Sequence, residues 1–366
     1  MQKNKKPKSK IVRIILVSGI AALSILCLTL YLFLHNYISK LNLVTKAEPD
    51  VSITGQMDEP IAETVNQVTE EEPFGEDAPE EEVKTLEDKI RRNMEENSTA
   101  FMEDKEVFNI LLIGSDNRSL TDTGRSDAMI LVSLNKKTKA IISTSILRDI
   151  YLAIPGRGNN RINAAYAYGG ADLLMDTIEQ NFKIRIDRYA SIDFYSFMDV
   201  IDALGGIALD VTKEEIPIIN GYIEGMNKLM GQEAGTDLLT RAGTLKLNGK
   251  QALGYARNRY IGTDFERTAR QRRVLEKVFD KVKKSNLIEI SRLLNKILPD
   301  VTTNLTEGEI FSLILNLADY RNYKIEQWSI PKEGSYSFLR IRGMDVIGMD
   351  FNENIEEMNQ RIYGDK

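Results

Sequence analysis

Cysteine, histidine and tryptophan each occur once in this 366-residue chain. Cys27 and His35 both sit near the N-terminus, so the remaining 331 positions hold no thiol and no imidazole. That excludes a disulfide framework, Cys/His zinc sites, and hydrolases of the Ser-His-Asp or Cys-His kind. Any chemistry must come from carboxylates, arginines, hydroxyls or a hard metal ion. Acidic residues are also missing at first: none precedes Glu48, while Lys3, Lys5, Lys6, Lys8, Lys10 and Arg13 crowd the start.

Ile14 to Leu34 is one uncharged apolar run. At 1.5 Å per residue it extends about 31 Å, the thickness of a bilayer's hydrocarbon core. With six cations before it and only Lys40 and Lys46 soon after, it predicts a single transmembrane helix with residues 1–13 in the cytoplasm and the rest outside. A cleaved signal peptide is the rival. It would have a shorter apolar region, about 7–15 residues, followed by a small-residue cleavage site. Some 13 residues inside the membrane are too few for a fold that reads base edges, so no nucleic-acid partner is expected.

Residues 35–105 read as an acidic linker outside the membrane. Between Glu48 and Glu106 stand 20 Asp and Glu against 5 Lys and Arg, with Pro49, Pro60, Pro73 and Pro79 among them. Such a stretch repels itself and stays solvated. Val83, Leu86, Ile90 and Met94 depart from this with helical spacing, supported by Glu87/Arg91 and Asp88/Arg92 at i,i+4.

The folded domain is expected over residues 106–345, with 346–366 as a C-terminal helix or tail. Phe108–Gly114, Asp127–Leu134 and Ala140–Leu147 are strand-like, and the last two are joined by five residues as a hairpin. Helices are expected over Ala171–Phe182, Phe194–Leu204, Asp264–Lys284, Leu287–Leu298 and Thr306–Tyr320. Further strands are expected at Tyr189–Ile192, Ile207–Val211 and Ile325–Ile330. This is an α/β pattern of α+β character: a mixed central sheet flanked by helices, preceded by the transmembrane helix.

Four short segments carry the candidate chemistry. Gly114-Ser-Asp-Asn-Arg118 ends the first strand, Gly124-Arg-Ser-Asp127 opens the second, and Arg148-Asp149 closes the third. A hairpin reverses direction, so Asp127 and Arg148 share one end of the sheet. If the first strand runs parallel to the third, Asp116 and Arg118 join them. The fourth segment is Tyr255-Ala-Arg257-Asn-Arg259 with the helix from Asp264. There Arg267, Arg270, Gln271 and Val274 follow i, i+3, i+4, i+7 spacing on one face. Arginine dominates, and guanidinium grips phosphate oxygens in pairs while staying charged when desolvated. Two aspartates beside such an anion suit Mg²⁺. Taken singly, each arginine better suits a solvated surface pair, and each aspartate suits a turn or cap at least as well, Asp264 included.

In order along the chain, these words resemble the LytR-CpsA-Psr family of cell-wall assembly enzymes: GSDNR (Gly114–Arg118), GRSDAMILVSLN (Gly124–Asn135), RD (Arg148, Asp149), RINAAYAYGG (Arg161–Gly170), DALGGI (Asp202–Ile207), LNGKQALGYARNR (Leu247–Arg259) and DFERTARQRRVL (Asp264–Leu275). The resemblance implies transfer of an anionic glycopolymer, of the wall teichoic acid or capsular polysaccharide type, from undecaprenyl pyrophosphate to a muramic-acid hydroxyl of peptidoglycan. It implies a single-pass protein in the cell membrane of a Gram-positive bacterium, with its catalytic domain outside. It implies Asp116 and Asp127 as ligands of Mg²⁺, with Mn²⁺ the alternative. Arg148, Arg257, Arg259 and Asp264 would be catalytic, Asp264 as base or orienter, and Arg118, Arg125, Arg267, Arg270 and Gln271 would hold the pyrophosphate. An apolar tunnel for the polyprenyl chain is expected to draw its lining from Leu173, Ile178, Phe194, Phe197 and Leu204.

Two departures stand out. Arg161 replaces a common lysine, and Leu147 replaces a common proline, which is expected to loosen the backbone before Arg148. Alternatives to the transferase are a polyprenyl-pyrophosphate-binding pyrophosphatase, a membrane-bound regulator of wall synthesis, and a structural wall anchor. Residues 276–366 carry no assigned role beyond completing the fold.

Overall fold

A computed structural model describes residues 42–43, 76–96, 101–115, 124–286 and 298–364, with a few positions between 289 and 296. The expected membrane span, Asp116 and Arg118 lie outside the described residues. Among those described, no helix is long and apolar enough to cross a membrane.

The elements in chain order are β1 (Asn42–Leu43), α1 (Glu80–Glu96), β2 (Val107–Ser115), β3 (Ser126–Asn135), β4 (Ala140–Ile146), β5 (Tyr151–Ile154), β6 (Gly158–Arg161), α2 (Ala164–Phe182), β7 (Arg188–Ile192), α3 (Phe194–Ala203) and β8 (Ile207–Val211). There follow α4 (Glu215–Leu229), β9 (Gly243–Leu247), α5 (Gly249–Arg257), α6 (Asp264–Lys284), β10 (Thr302–Thr303), α7 (Glu307–Leu315), α8 (Leu317–Tyr320), β11 (Lys324–Ile330), β12 (Tyr336–Ile341), β13 (Met344–Met349) and α9 (Phe351–Tyr363).

The central sheet runs β1-β10-β7-β2-β3-β4-β11. β3 is antiparallel to both β2 and β4, so those two run the same way; β7 lies parallel to β2, and β11 parallel to β4. The expected hairpin forms because Thr138 N–H donates to the Asn135 side chain at 2.9 Å, closing an Asx turn. Four strands therefore finish, and β3 begins, at one edge of the sheet.

Alternation along the central strands serves two cores. Leu111, Ile113, Met129, Leu131 and Ile142 face α1, α2 and α9, while Ile130, Val132, Leu134 and Ile141 face the other way, toward Leu275 of α6. The helical spacing of Val83, Leu86, Ile90 and Met94 is realised in α1, whose Leu86 and Ile90 are buried in the folded body, so the domain begins before the expected boundary at residue 106. The expected boundary at 345 also falls inside β13, and α9 seats Phe351, Met358 and Ile362 in the same core. The helix expected over Thr306–Tyr320 is divided at Asn316. α2 starts earlier than expected and breaks at Gly169-Gly170, where Gly170 takes φ 62°.

Candidate active site

At the sheet edge predicted to gather the motifs, Asp127, Arg148, Arg257, Arg259, Arg267 and Gln271 come together. Asp127 lies in the second residue of β3, and Arg148 lies two past the end of β4. Arg148 Nη1 donates to Asp127 Oδ1 at 3.0 Å. Its Nε lies 3.5 Å from Asp149 Oδ2 and 4.0 Å from Asp264 Oδ1, without a hydrogen bond. Leu147 does not loosen this segment. Its N–H donates to Ile330 O at 3.0 Å, a bond a proline could not make, and its side chain is fully buried. Asp149 in turn meets Arg161 Nη1 at 3.4 Å, and its carbonyl accepts from Ile347 N–H of β13 at 2.8 Å.

α6 supplies the second wall. Thr263 is its N-cap and closes a capping box with Glu266, so Asp264 is released from that duty. Asp264 Oδ1 instead contacts Arg267 Nη2 at 2.6 Å, in a geometry that leaves this nitrogen, Arg267 Nε and Asp264 Oδ2 without hydrogen bonds. Arg267 is only 4% exposed. A buried guanidinium with unmet donors is costly unless an anion arrives.

α5 brings the third contribution, started by a capping box between Asn248 and Gln251. Arg257 lies over the Phe194 ring at 4.2 Å and the Tyr222 ring at 5.3 Å, and Tyr222 Oη donates to its carbonyl at 3.0 Å. Asp127, Arg148, Arg257, Arg259, Arg267, Gln271 and Tyr222 together line one cleft. Tyr222 carried no motif; only its place on α4 opposite Arg257 reveals it.

Arg270 corrects the expectation. Its Nε donates to Glu215 Oε1 at 2.8 Å, and its two Nη atoms donate to the carbonyls of Asn258 and Ile261 at 2.9 Å each. Buried and satisfied, it fastens the loop between α5 and α6 rather than facing the cleft. Arg125 is exposed just before β3 and does not line the cleft.

Charge balance within the cluster is uneven. Burial alone would raise the Asp127 carboxyl, but Arg148, Arg267 and Arg257 outweigh it and hold it below the ordinary aspartate value. Burial wins at Asp264 and raises it despite Arg267 and Arg148. Burial, and then repulsion from Arg148, lower Arg267, while the surrounding aspartates overcome burial to raise Arg148.

Directly against the cleft lies an apolar cavity of about 270 Å³ between β2, β3, β7 and the helices α3, α5 and α6. Asp127, Arg257 and Gln271 line both spaces. Phe194 and Phe197 are in its wall as expected, whereas Leu173, Ile178 and Leu204 are not. Leu173 and Ile178 pack on the opposite face of the sheet. A larger cleft, about 620 Å³, lies at the far end of the sheet, where five acidic residues face three basic ones, the wrong balance for an anionic ligand.

An apolar cavity that ends at Arg257 and adjoins an arginine-lined cleft suits a lipid with an anionic head. A sequence profile described as the LytR_cpsA_psr family matches residues 70–361. The chain belongs to the LytR-CpsA-Psr family. Over 253 residues it is 33% identical to the polyisoprenyl-teichoic acid–peptidoglycan teichoic acid transferase TagU of Bacillus mycoides (strain KBAB4), spanning 67% of this chain and 76% of that one. It also resembles the solved structure of TagT bound to LI-WTA, at TM-score 0.57 and 27% identity over 71% of this chain and 92% of that one. Against TagT with bound octaprenyl pyrophosphate lipid the TM-score is 0.54, with 26% identity over 72% and 93%.

The donor set accommodates a divalent cation only in part. Among the described residues no three acidic, Cys or His groups converge to cage one. Mg²⁺ commonly takes one or two carboxylates with substrate phosphate oxygens completing its shell. Asp127, held ionised at the junction of cleft and cavity, meets that need for one carboxylate.

Proposed function

We propose that this protein transfers an anionic glycopolymer, of the wall teichoic acid or capsular type, from undecaprenyl pyrophosphate to a hydroxyl of peptidoglycan. The observation that carries the reading is Arg267, buried in the cleft that adjoins the apolar cavity, with an Nε that meets no acceptor among the described residues. In that arrangement the isoprenoid occupies the cavity and the pyrophosphate lies among Arg148, Arg257, Arg259 and Arg267.

The acceptor oxygen attacks the phosphorus that bears the glycopolymer. A phosphodiester forms, the P–O bond to the bridging oxygen breaks, and undecaprenyl phosphate departs. Arginine donors take up the charge that grows on the leaving phosphate, which is where most acceleration arises in phosphoryl transfer. Asp264 is the carboxylate suited to accept the hydroxyl proton, because burial raises its proton affinity and its Oδ2 has no partner. Asp127 would hold Mg²⁺, which when bound supplies further neutralisation of phosphate charge. The same reading places Ile14–Leu34 in the cell membrane with the domain outside, supported by the one-sided distribution of lysine and arginine.

Arg148→Ala and Arg257→Ala should each cut transfer from a lipid-pyrophosphate donor to wall fragments by about 10³-fold while the protein stays folded. Near-wild-type transfer by both purified variants rejects the assignment. Release of polymer into water with no need for an acceptor would make the protein a hydrolase instead.

A further inference from the structure

The acidic linker expected over residues 35–105 is fastened to the folded body at two places before α1 begins. Asn42–Leu43 form β1, which pairs in parallel with Thr302–Thr303 of β10 and adds an edge strand to the central sheet. The second place is the β12–β13 turn. There Gly343 N–H donates to Asp77 Oδ1 at 3.0 Å, and Ala78 N–H donates to Arg340 O at 2.7 Å. Arg340 Nε also lies 3.8 Å from Asp77 Oδ1.

Register fixes where the first anchor sits. Asn42 pairs with Thr302, Thr302 with Ser191, Ser191 with Ile113, and Ile113 with Met129. Asn42 therefore shares a row with Met129, two residues along β3 from Asp127. That row crosses four strand spacings, about 19 Å. Direction follows as well. β7 finishes at the catalytic edge, β10 is antiparallel to it, and β1 runs with β10. The chain therefore enters β1 from the catalytic edge. β10 also borders the apolar cavity: Val301, just before it, and Ala190, the partner of Thr303, both line the wall. β1 packs beside the 3₁₀ turn Leu298–Asp300 as well, and Asp300 O accepts from Ser196 Oγ of α3 at 3.3 Å.

Chain length sets the distance to a bilayer. Seven residues, 35–41, separate the apolar run Ile14–Leu34 from β1. At full extension they reach about 25 Å. Without β1 the first anchor is Asp77, and 42 residues, 35–76, stand between. The effective concentration of a tethered group falls roughly as the −3/2 power of tether length. Undocking β1 therefore dilutes the site at the bilayer about tenfold.

We propose that β1 is a membrane-side clasp. By pairing with β10 it holds the catalytic edge of the sheet, and the apolar cavity beside it, toward the bilayer in which a lipid-linked donor resides. This rests on the proposed reading of Ile14–Leu34 as a membrane span.

The test uses the full-length protein in vesicles of phosphatidylglycerol and phosphatidylethanolamine, with an acceptor dye on the lipids. In a Cys27→Ala background, one fluorophore is attached through Arg125→Cys or through Lys136→Cys. These positions flank β3, about 35 Å apart, at the catalytic edge and the opposite one. The label at 125 should pass more energy to the lipid dye than the label at 136. Asn42→Pro with Leu43→Pro strips β1 of its N–H donors and should abolish that difference. The same double variant should lose about tenfold in turnover of vesicle-embedded donor, with turnover of a short-chain, water-soluble pyrophosphate donor held. A Gly-Ser insert of about 35 residues between Lys40 and Leu41 leaves β1 in place and should bring the same tenfold loss. Equal energy transfer from both labels, or more from 136, overturns the clasp. So does a difference that survives the proline changes, or a proline defect that the insert does not reproduce. A protein that does not associate with vesicles rejects the membrane span, and the clasp with it. One oriented as expected that transfers no polymer keeps the clasp and sinks the transferase.

Discussion

The two faces of the central sheet are built from the same strands and put to opposite uses. On one face α1, α2 and α9 close over Leu111, Leu131, Ile142, Leu174 and Phe182, all buried to within 1%. On the other, α3, α5 and α6 stand off far enough to leave an apolar space of about 270 Å³, much larger than a packing void. The filled face holds the domain together, and the hollow one admits a ligand. α6 shows the same division within a single turn: Arg270 is satisfied by three protein acceptors, whereas Arg267 makes an ion pair with Asp264 and, among the described residues, its Nε meets no acceptor.

The contrast between holding and binding can be tested first at Arg270. Arg270→Ala strands buried Glu215 and frees two carbonyls, and should lower the unfolding free energy by about 3–5 kcal/mol in urea titrations. Arg257→Ala, which gives up stacking over two rings and an attraction to Asp127 that Arg148 and Arg267 also supply, should stay within about 1 kcal/mol of the wild type. Equal losses would erase the distinction between a fastening arginine and a binding one. A smaller effect should separate the two faces themselves. Ala165→Leu, on the filled face, should cost about 1–3 kcal/mol through overpacking. Ala190→Leu, in the cavity wall, should leave stability almost unchanged yet weaken polyprenyl-phosphate binding about tenfold, because the new methyls occupy the lipid's space. If Ala190→Leu destabilises as much as Ala165→Leu, the cavity is not an open space in solution.

Smallest of all is a difference in pH response between the two aspartates. Asp264 binds its proton more tightly in the folded state, so its contribution favours folding at low pH and is lost as pH rises through the raised value. Asp127 is the reverse: its contribution is present above the ordinary aspartate value and is lost as pH falls through the depressed one. Stability of the wild type minus that of Asp264→Asn should therefore decline with rising pH between the ordinary and the raised value, while the same difference for Asp127→Asn should climb below the ordinary value and then level off. Parallel curves would mean that the cluster titrates as one unit and that the two carboxylates are equivalent.

Much of this was legible in sequence because it is local. Hydrophobic alternation and the five-residue turn placed β3 and β4, and reversal at that turn was enough to bring Asp127 and Arg148 to one edge. The tunnel lining was not local. Periodicity marks Leu173 and Ile178 as an apolar helix face, but says nothing about which side of the sheet α2 crosses to. Arg270 misled for a similar reason: i,i+3 spacing puts it near Arg267, and only Glu215, 55 residues away, decides where its guanidinium turns. The β12–β13 hairpin hid behind an unusual turn. Arg342 and Gly343 both take positive φ, 52° and 76°, as a two-residue connection of this kind demands, yet Arg-Gly lacks the Asn-Gly or Asp-Gly signal.

Arg257 lies over Phe194 and Tyr222 at the border of oil and charge, a position suited to work as a depth gauge. A guanidinium's faces tolerate hydrocarbon while its rim seeks oxyanions. Under the proposed function, an isoprenoid sliding inward would be arrested when its first phosphate reaches that rim, however many repeats trail behind. Registration is read from the head of the carrier, so carriers of differing length should present the same phosphorus to the same attacking oxygen.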